Sequence, residues 1–414
     1  MKTITLLLDG AGDRSYEELD WKTPLEYAHT PHLDQLARQS QCGLMVPHRI
    51  GCALGTDLAH MLIFGYSLKE YPNRALIDAI GEGIKIDEKT LILRASLADV
   101  SYSDGYFLNS RFTAELADED IQLLSNVMTM EIKGCHFDFI HSYDSHGFIR
   151  VSGQGLSSQI SDSDPFYNKQ YVMAVEAFET NCNDAIVSAE LVNNYLKEVH
   201  QRLKNHPINK KRLQKGLEQA NMLLSKWASV KSSVPPFYER NGMSGLLIGQ
   251  SKLLSGLASY IGMDFQRYET FEEGVALALD AKADYVHLHS KLPDTASHQK
   301  SPRNKVAAFE MLDQLIQPLL DFEGLLVVTA DHSTPCSGEA IHSGESVPFM
   351  ARGEYIRRDQ VETFDEIACS RGSVMLNGKD FMHYIQNATD RGALYHLRAG
   401  GQWHNYKVSD VRRL

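Results

Sequence analysis

The stretch LLVVTADHSTPCSGEAIHSGESVPF, residues 325–349, changes from apolar to mostly polar residues after its first few positions. It begins with a run of apolar and β-branched residues, and Asp331 and His332 come directly after that run. Continuous apolar runs are typical of strands that are buried on both faces, as in a parallel sheet. A further polar side chain, His342, follows from a loop rich in serine and glycine. The stretch therefore predicts a buried strand with a polar site at its carboxyl end.

Two other segments have the same form. TITLLLDG at residues 3–10 reaches Asp9 after its apolar run, and ADYVHLHSKLPD at residues 283–294 ends at Asp294. Helical patterns lie between these segments, for example NKVAAFEMLDQLIQPLL, in which apolar residues recur at helical spacing. Alternation of strands and helices at both ends of the chain predicts one doubly wound, mostly parallel α/β sheet. Sites in such sheets lie at the carboxyl ends of the strands, where all three of these Asp residues fall.

Residues 86–235 have a different pattern. Short strand-like pieces such as LILRASLADV and GFIRVSGQGL are joined by polar loops, and two helical patterns follow at residues 184–203 and 209–228. This change predicts a smaller α+β domain inserted into the sheet domain. We therefore expect a core formed by residues 1–85 and 236–414, interrupted by the inserted domain.

The overall charge limits the partners of the chain. Its 414 residues include 53 acidic and 41 basic ones, a formal net charge of −12, which argues against nucleic acid or an anionic membrane as the main partner. No apolar run reaches the ~18 residues that a membrane span needs. The six cysteines form no C-x-x-C pair, a usage typical of reduced thiols in a cytoplasmic protein. The sequence leaves the oligomeric state open.

Carboxylates and imidazoles recur at the predicted strand ends. Asp294 and His298 are four residues apart, a spacing that places both side chains on one face of a helical turn. Together with Asp331, His332 and His342, they offer oxygen and nitrogen ligands without thiolate, a combination that suits Mn²⁺, Zn²⁺ or a similar divalent ion. An isolated histidine is more often structural, but several such groups at the strand ends of one sheet favour a metal site.

The segment GCALGTDLAHMLIFGY, residues 51–66, supplies a hydroxyl group. Thr56 follows a loop of small residues and precedes an apolar helical pattern, and the N-terminus of a helix favours anions. Beside a metal ion, such a hydroxyl can act as a nucleophile. The alternative is a plain N-cap, which the sequence alone favours equally well.

The motifs DGAGDR, GTDLAHMLIFGY, DTASH, TADHSTPC and HSGESVPF come from both ends of the chain. In combination they resemble the archaeal-type, cofactor-independent (2,3-bisphosphoglycerate-independent) phosphoglycerate mutases of the alkaline phosphatase superfamily. The resemblance is strongest outside residues 86–235. It implies an alkaline-phosphatase-like fold in which the core binds metal ions and the inserted domain binds the substrate.

The resemblance also implies two divalent metal ions. The residues that would hold the first ion are Asp9, Thr56, Asp331 and His332. Those that would hold the second are Asp294, His298 and His342. Thr56 would in addition be the nucleophile, and it stands where the family usually carries serine. Either hydroxyl can be phosphorylated, so the difference is compatible with the same chemistry.

Five further residues match positions that bind the substrate in this family, and the substrate class they imply is a small phosphorylated metabolite. They are Arg74, Arg94, Asp162, Asp164 and Lys291. Other positions differ, since an arginine expected near LLSKWAS is matched at best by Lys226. Lysine is a poor substitute for an arginine that clamps an anion through two hydrogen bonds. The departures therefore concern the identity of the substrate and leave the residues for phosphoryl transfer complete.

The leading interpretation is a metal-dependent phosphotransferase that interconverts 3-phosphoglycerate and 2-phosphoglycerate through a phospho-Thr56 intermediate. One alternative is a phosphohydrolase or phosphotransferase of the same superfamily that acts on another phosphorylated or phosphonylated metabolite. The other alternative is an inactive paralogue that serves as a binding subunit. The complete set of predicted metal ligands argues against the inactive paralogue, because an unselected site is expected to lose ligands.

Overall fold

The computed structural model describes residues 1–113 and 116–392. Its strands are β1 (Thr3–Leu8), β2 (Gln41–Val46), β3 (Thr90–Tyr102), β4 (Tyr106–Ser110), β5 (Met130–Ile132), β6 (Cys135–Tyr143), β7 (His146–Ser152), β8 (Met222–Val230), β9 (Gly245–Gly249), β10 (Asp264–Arg267), β11 (Tyr285–Ser290), β12 (Leu325–Thr329), β13 (Val347–Arg352) and β14 (Val374–Asn377). Its helices are α1 (Pro24–Tyr27), α2 (Pro31–Ala37), α3 (Thr56–Ile63), α4 (Arg74–Gly81), α5 (Asp118–Met128), α6 (Asn183–Leu203), α7 (Pro207–Gln214), α8 (Phe237–Asn241), α9 (Lys252–Tyr260), α10 (Phe271–Asp280), α11 (Leu292–His298), α12 (Pro302–Leu315), α13 (Glu366–Cys369) and α14 (Phe381–Ala388).

The described chain divides into two compact units. The first unit combines residues 1–71 with the described residues from 234 onwards, and the second is formed by residues 72–233. Helix α4 belongs to the second unit by its contacts, whereas the sequence pattern suggested a boundary at residue 86. The division of metal binding and substrate binding between the two parts of the chain stays a prediction.

The first unit is built on an eight-stranded sheet with the strand order β10–β9–β11–β1–β12–β13–β2–β14. Strand β13 pairs antiparallel with β12 and β2, and the other five pairings are parallel. Every residue of β1, β11 and β12 is buried, as their continuous apolar runs predicted. Helix α12 packs against α1, α2 and α11. This arrangement puts β1 between β11 and β12 in the middle of the sheet.

The second unit is an antiparallel sheet with helices. Its strands follow the order β4–β3–β7–β6–β5, and β8 also pairs with β3. The 13-residue strand β3 is thus the centre of this unit, since β4, β7 and β8 all pair with it. Helix α6 packs against β8 and α5, and its Tyr195 ring stacks on Phe137 with the centroids 4.5 Å apart. The α+β character predicted for the inserted domain is confirmed.

The predicted fold class, a doubly wound and mostly parallel sheet with a smaller inserted domain, is confirmed. One predicted element is wrong: the pattern at residues 209–228 forms α7 and then β8 rather than a single helix. Gly216 follows α7 with a φ of +69°, a left-handed conformation that ends helices. Leu213, an apolar residue of that pattern, is 58% exposed, and the residues from Met222 onwards pair with β3 instead of continuing a helix. No helix within residues 1–113 and 116–392 is long and apolar enough to cross a bilayer.

Candidate active site

Three neighbouring strands of the large sheet bring the predicted ligand residues together. Asp9 follows β1, Asp294 lies in α11 directly after β11, and Asp331 and His332 follow β12. Because β11, β1 and β12 are adjacent and parallel, their carboxyl ends meet at one edge of the sheet. His342 comes from the loop between β12 and β13. These residues are therefore far apart in the sequence but lie together at one edge of the sheet.

One group of ligand-type side chains surrounds the His332 ring. Its Nε2 atom lies 3.3 Å from Asp9 Oδ1, 3.2 Å from Asp331 Oδ2 and 3.3 Å from Thr56 Oγ1. Asp9, Asp331 and His332 are almost completely buried, and Thr56 is 6% exposed. Backbone N–H groups of Gly10 and His332 donate to Asp331 Oδ1, so the Oδ2 atom is the one that faces the imidazole.

A second group centres on the buried carboxylate of Asp294. Its Oδ2 atom lies 3.2 Å from His298 Nε2, and its Oδ1 atom lies 3.8 Å from His342 Nε2. The other ring nitrogen of His342 donates to the carbonyl oxygen of Leu54 at 2.6 Å, which leaves Nε2 with its lone pair. The His332 and His342 rings stack with centroids 3.8 Å apart, so the two groups adjoin. We call the seven predicted ligands together the carboxylate cluster.

Thr56 is the first residue of α3, and Gly55 occupies the N-cap position. The plain N-cap interpretation of Thr56 is therefore wrong, since Thr56 lies one residue beyond the N-cap, inside the helix. Instead its hydroxyl faces His332. The hydroxyl thus stands at the N-terminal end of an eight-residue helix and beside a ring nitrogen that also faces two buried carboxylates.

The carboxylate cluster fits divalent cations. Asp9 Oδ1 and Asp331 Oδ2 are buried without a hydrogen-bond partner among the described residues, although buried polar atoms almost always have one. Burial, followed by the charge of Asp9, raises the pKa of Asp331 well above its ordinary range. Burial lowers the pKa of His332 to about 3, so its ring is neutral and can donate a lone pair. Buried carboxylates this close together are stable only with positive charge beside them.

Lys291 supplies part of that charge. Its Nζ atom lies 2.7 Å from Asp9 Oδ2 and 2.9 Å from Asp294 Oδ2, so one ammonium joins both groups. Burial by itself lowers the pKa of Lys291, but the two carboxylates have the larger combined effect and raise the pKa above its ordinary value. For Asp9, burial by itself raises the pKa of the carboxyl, but Lys291 and His289 outweigh burial and bring the pKa well below its ordinary range. The lysine predicted to bind substrate therefore contacts both groups of the carboxylate cluster.

Two histidines beside the cluster were missed by the sequence analysis. His60 lies in α3 and His289 lies in β11, and one ligand atom from each lies within 4.8 Å of the other and of Asp331. His60 Nδ1 donates to the Thr56 carbonyl oxygen at 2.6 Å, and His289 Nε2 lies 3.1 Å from Asp9 Oδ2. The spacing of four residues between Thr56 and His60 places them on one helical face, a signal that could have indicated His60.

Beside the carboxylates, a fully buried lysine joins two loops. Lys305 Nζ donates to the carbonyl oxygens of Gly10, Gly12 and Thr334 at 2.8, 3.1 and 3.0 Å, and it pairs with Asp13 at 3.0 Å. Gly10 has a φ of +65°, and a Cβ atom there would lie 2.4 Å from Thr334 Oγ1. The loops after β1 and β12 thus pack at backbone distance, which fixes the positions from which the cluster projects.

Glu366 is a second buried group in this region. Its carboxylate accepts hydrogen bonds from the Asp13 backbone N–H at 3.1 Å and from the Thr23 hydroxyl at 2.6 Å. Burial raises the pKa of Glu366 to about 7. The carboxyl therefore takes up a proton far more readily here than in water.

In the second unit, four basic side chains gather, which we call the cation cluster: Arg74, Arg94, Arg111 and Lys226. Arg74 Nε and Arg94 Nε each lie 3.4 Å from Asp78 Oδ2. The Arg94 guanidinium also lies over the Phe148 ring, 4.5 Å from its centroid. The structure thus brings the two predicted arginines together on one carboxylate.

The other half of the cation cluster is held by Asp164. Arg111 donates to both carboxylate oxygens at 2.7 Å, and Lys226 Nζ donates to Oδ2 at 3.2 Å. Burial raises the pKa of Asp164, but these cations bring it below its ordinary value. Asp162 accepts a hydrogen bond from the Trp227 backbone N–H at 2.8 Å. Arg111 was missed by the sequence analysis, whereas Lys226 occupies the position that the sequence pattern suggested.

Comparison with known proteins identifies the family. A family model described as 2,3-bisphosphoglycerate-independent phosphoglycerate mutase matches residues 37–209. The chain is 43% identical over 420 residues to 2,3-bisphosphoglycerate-independent phosphoglycerate mutase 2 of Methanocaldococcus jannaschii, covering 99% of this chain and 98% of the relative. It is 34% identical over 412 residues to the 2,3-bisphosphoglycerate-independent phosphoglycerate mutase of Picrophilus torridus, covering 95% of this chain and 100% of the relative.

Solved structures agree with this assignment. A protein from Pyrococcus horikoshii matches with a TM-score of 0.75 and 26% identity, covering 96% of this chain and 99% of that one. The cofactor-independent phosphoglycerate mutase of Thermoplasma acidophilum matches with a TM-score of 0.64 and 25% identity, covering 94% of this chain and 100% of that one. Identity above 30% along nearly the whole length, together with the shared fold, decides the relationship. The chain belongs to the family of 2,3-bisphosphoglycerate-independent phosphoglycerate mutases.

Proposed function

We propose that the chain is a metal-dependent phosphotransferase that interconverts 3-phosphoglycerate and 2-phosphoglycerate through a phosphorylated Thr56. The observation that carries this proposal is the position of the Thr56 hydroxyl, 3.3 Å from the ring nitrogen of His332 that also faces two buried carboxylates. The names of the relatives, which are phosphoglycerate mutases, supply the substrate. Action in the cytoplasm, as part of glycolysis, is a further part of the proposal that rests on the family resemblance.

The carboxylate cluster would hold two divalent ions such as Mn²⁺ or Zn²⁺. We assign to the first ion Asp9, Thr56, Asp331 and His332. We assign to the second ion Asp294, His298 and His342. Support comes from the chemistry of the donors, which are carboxylate, hydroxyl and neutral imidazole, and from the two buried oxygens without partners among the described residues. When bound, such a pair of ions stabilises the attacking and leaving oxygens of an in-line phosphoryl transfer.

Thr56 accepts the phosphoryl group in this proposal. Its Oγ1 atom attacks the phosphorus of 3-phosphoglycerate, the bond from phosphorus to the 3-oxygen breaks, and the proton lost by Thr56 ends on that oxygen. The glycerate stays bound, and its 2-hydroxyl oxygen attacks the phosphorus of phospho-Thr56. The bond to Oγ1 then breaks, the proton of the 2-hydroxyl ends on Oγ1, and 2-phosphoglycerate leaves. The nucleophile is thereby regenerated without net consumption of water.

The cations have separate roles in this scheme. Lys291, which joins Asp9 and Asp294, offsets the negative charge of the transferring group. Arg74 and Arg94 bind an anionic group of the substrate, and a guanidinium can contact two oxygens of a carboxylate at once. Asp164 positions Arg111 and Lys226 through the hydrogen bonds described above. Asp162 is assigned to the same substrate-binding region through its hydrogen bond to Trp227.

The test is turnover with metal ions removed and restored. Protein stripped with EDTA is assayed on 3-phosphoglycerate with Mn²⁺, Zn²⁺ or Co²⁺, while 2-phosphoglycerate and free phosphate are measured in parallel. We expect interconversion that needs an added ion and releases little free phosphate, because the enzyme keeps the phosphoryl group between the half-reactions. Negligible mutase turnover with every ion, beside hydrolysis of another phosphate ester that needs Thr56, would overturn the assigned substrate.

A further inference from the structure

Trp227 in β8 has a backbone conformation that is unusual for a large side chain. Its φ is +59°, in the left-handed region that favours glycine. Residues held in such conformations are strained and persist only where the surroundings fix them, typically at functional sites. The conformation coincides with an irregularity in the pairing of β3 with β8, between Ile92 and Arg94. The chain thus retains an indole at a position where glycine would be less strained.

Neighbouring groups hold the Trp227 peptide in place. Its N–H donates to Asp162 Oδ1 at 2.8 Å, and its carbonyl oxygen accepts from the Ser229 hydroxyl at 3.0 Å. Both bonds lie within the second unit, and Asp162 is one of the residues predicted to bind substrate. The strained conformation is therefore fixed by specific partners, and it directs the indole towards two members of the cation cluster.

The indole contacts two cations at once. The guanidinium carbon of Arg74 lies 5.0 Å from the centroid of the Trp227 ring, and Lys226 Nζ lies 4.7 Å from that centroid. Burial lowers the pKa of Lys226, and the charges of Arg111 and Arg94 also lower it, against the opposing effect of Asp164. The negative face of an aromatic ring attracts cations and so offsets part of their mutual repulsion. Without the ring, Arg74 and Lys226 would be expected to move apart.

We propose that Trp227 is a positioning residue of an anion-binding site, in which its ring holds Arg74 and Lys226 for a carboxylate or phosphate group of a compact substrate. This inference deepens the proposed function, because it names the residue that sets the affinity for the substrate's anionic group. Trp227 acts through the two cations and takes no part in phosphoryl transfer. A purely structural residue at this position would affect stability and leave anion binding unchanged.

The first test compares three substitutions. Trp227→Gly relieves the left-handed strain and removes the ring, so we expect a folded protein whose KM for 3-phosphoglycerate rises about tenfold while kcat changes less than about twofold. Trp227→Phe keeps an aromatic face and should restore part of the affinity. Trp21→Gly is the matched control, since Trp21 also has a positive φ, +61°, but is 70% exposed. A KM for Trp227→Gly within twofold of the wild type would overturn the proposal.

The second test measures binding without turnover. The chain has three tryptophans, at 21, 227 and 403, so the double variant Trp21→Phe/Trp403→Phe leaves Trp227 as the only indole. Its fluorescence is titrated with 3-phosphoglycerate and, separately, with inorganic phosphate. We expect a saturable change with both, and calorimetry should show weaker binding of both ligands by Trp227→Gly. Anion binding that depends on Trp227 in a protein without mutase turnover would refute the proposed function alone, whereas unaltered binding by Trp227→Gly would refute this inference alone.

Discussion

The carboxylate cluster of the large sheet and the cation cluster of the smaller sheet are both charged and largely buried, but they differ in how their charges are balanced. In the carboxylate cluster, Asp9 Oδ1 and Asp331 Oδ2 have no hydrogen-bond partner within residues 1–113 and 116–392. In the cation cluster, the basic side chains contact Asp78, Asp164 and the Trp227 ring. Lys291 offsets only part of the negative charge of the first cluster, which therefore requires further positive charge from outside the chain. In the second cluster, each basic side chain already contacts a carboxylate of the chain.

This difference has a consequence for function. A site that is incomplete without its ion is expected to lose activity entirely when one essential group is removed, because the remaining buried charges no longer fit together. A site whose cations already contact carboxylates of the chain binds an anion by exchanging one set of partners for another, so the gain in free energy is small. Changes in the carboxylate cluster should act on turnover, and changes in the cation cluster should act on affinity in graded steps.

The largest expected effect is at the nucleophile. Thr56→Ala should lower turnover of 3-phosphoglycerate by about 10³-fold or more, because it removes the hydroxyl that faces His332 Nε2 and that is proposed to form the phosphoenzyme. Thr56→Ser keeps the hydroxyl and is the matched control. The measurement is kcat together with detection of phosphorylated protein by mass spectrometry. Substantial turnover by Thr56→Ala, with its fold intact, would mean that the two clusters do not divide their roles as described.

A second effect concerns the protein interior next to the carboxylate cluster. Because burial raises the pKa of Glu366 from 4.5 to about 7, the folded state binds its proton more tightly than the unfolded state between these values. The free energy of unfolding should therefore fall as pH rises through this window, by roughly 3 kcal/mol in total. Urea unfolding at pH 4.5 and pH 8 measures this loss.

Glu366→Gln should remove that contribution, and Glu362→Gln, at an exposed position, should not. Equal pH dependence in the wild type and Glu366→Gln would contradict the burial of this carboxyl in its ionisable form. That result would also contradict the exclusion of water from the protein interior around the carboxylate cluster.

The smallest expected effect lies in the cation cluster. Arg74→Ala should remove the charge-assisted contact that we propose Arg74 makes with a substrate anion, worth ~1.5–3 kcal/mol, or roughly 10- to 100-fold in kcat/KM. Most of the change should appear in KM. Arg202→Ala, on the surface of α6 in the same unit, is the control and should have wild-type kinetics. A loss of kcat as deep as that of Thr56→Ala would show that the cation cluster takes part in the chemical step.

How well the sequence predicted each cluster depends on what places its residues. Asp9 and Asp331 each follow an apolar strand, and these two strands pair in parallel through their backbones. Because the carboxyl ends of parallel strands meet at one edge of a sheet, the polar residues that end the apolar runs in the sequence indicate one shared site. The position of Arg111 is set by its hydrogen bonds to Asp164, which is 53 residues away. No periodic pattern records a pairing between two side chains on loops, and Arg111 was missed for that reason.

The same reasoning explains the element that was predicted wrongly. The residues from Met222 onwards are apolar enough to continue a helical stripe, and local spacing alone does not exclude a helix. Pairing with β3, more than 120 residues earlier in the chain, makes them a strand. Tertiary pairing thus overrides local pattern in the smaller sheet, whereas in the large sheet the two agree.

The central place of β1 has a consequence for how the protein is made. Its partners β11 and β12 lie roughly 280 and 320 residues further along the chain, since Thr3 pairs with Tyr285 and with Leu325. At ~5–20 residues per second, a ribosome needs roughly 15 to 65 s to reach them. During that time, the strands of the second unit can already pair with one another. The apolar residues of β1 stay unpaired, because its partner strands have not yet been synthesised. Nascent chains should therefore depend on chaperones that shield this first strand until synthesis nears completion.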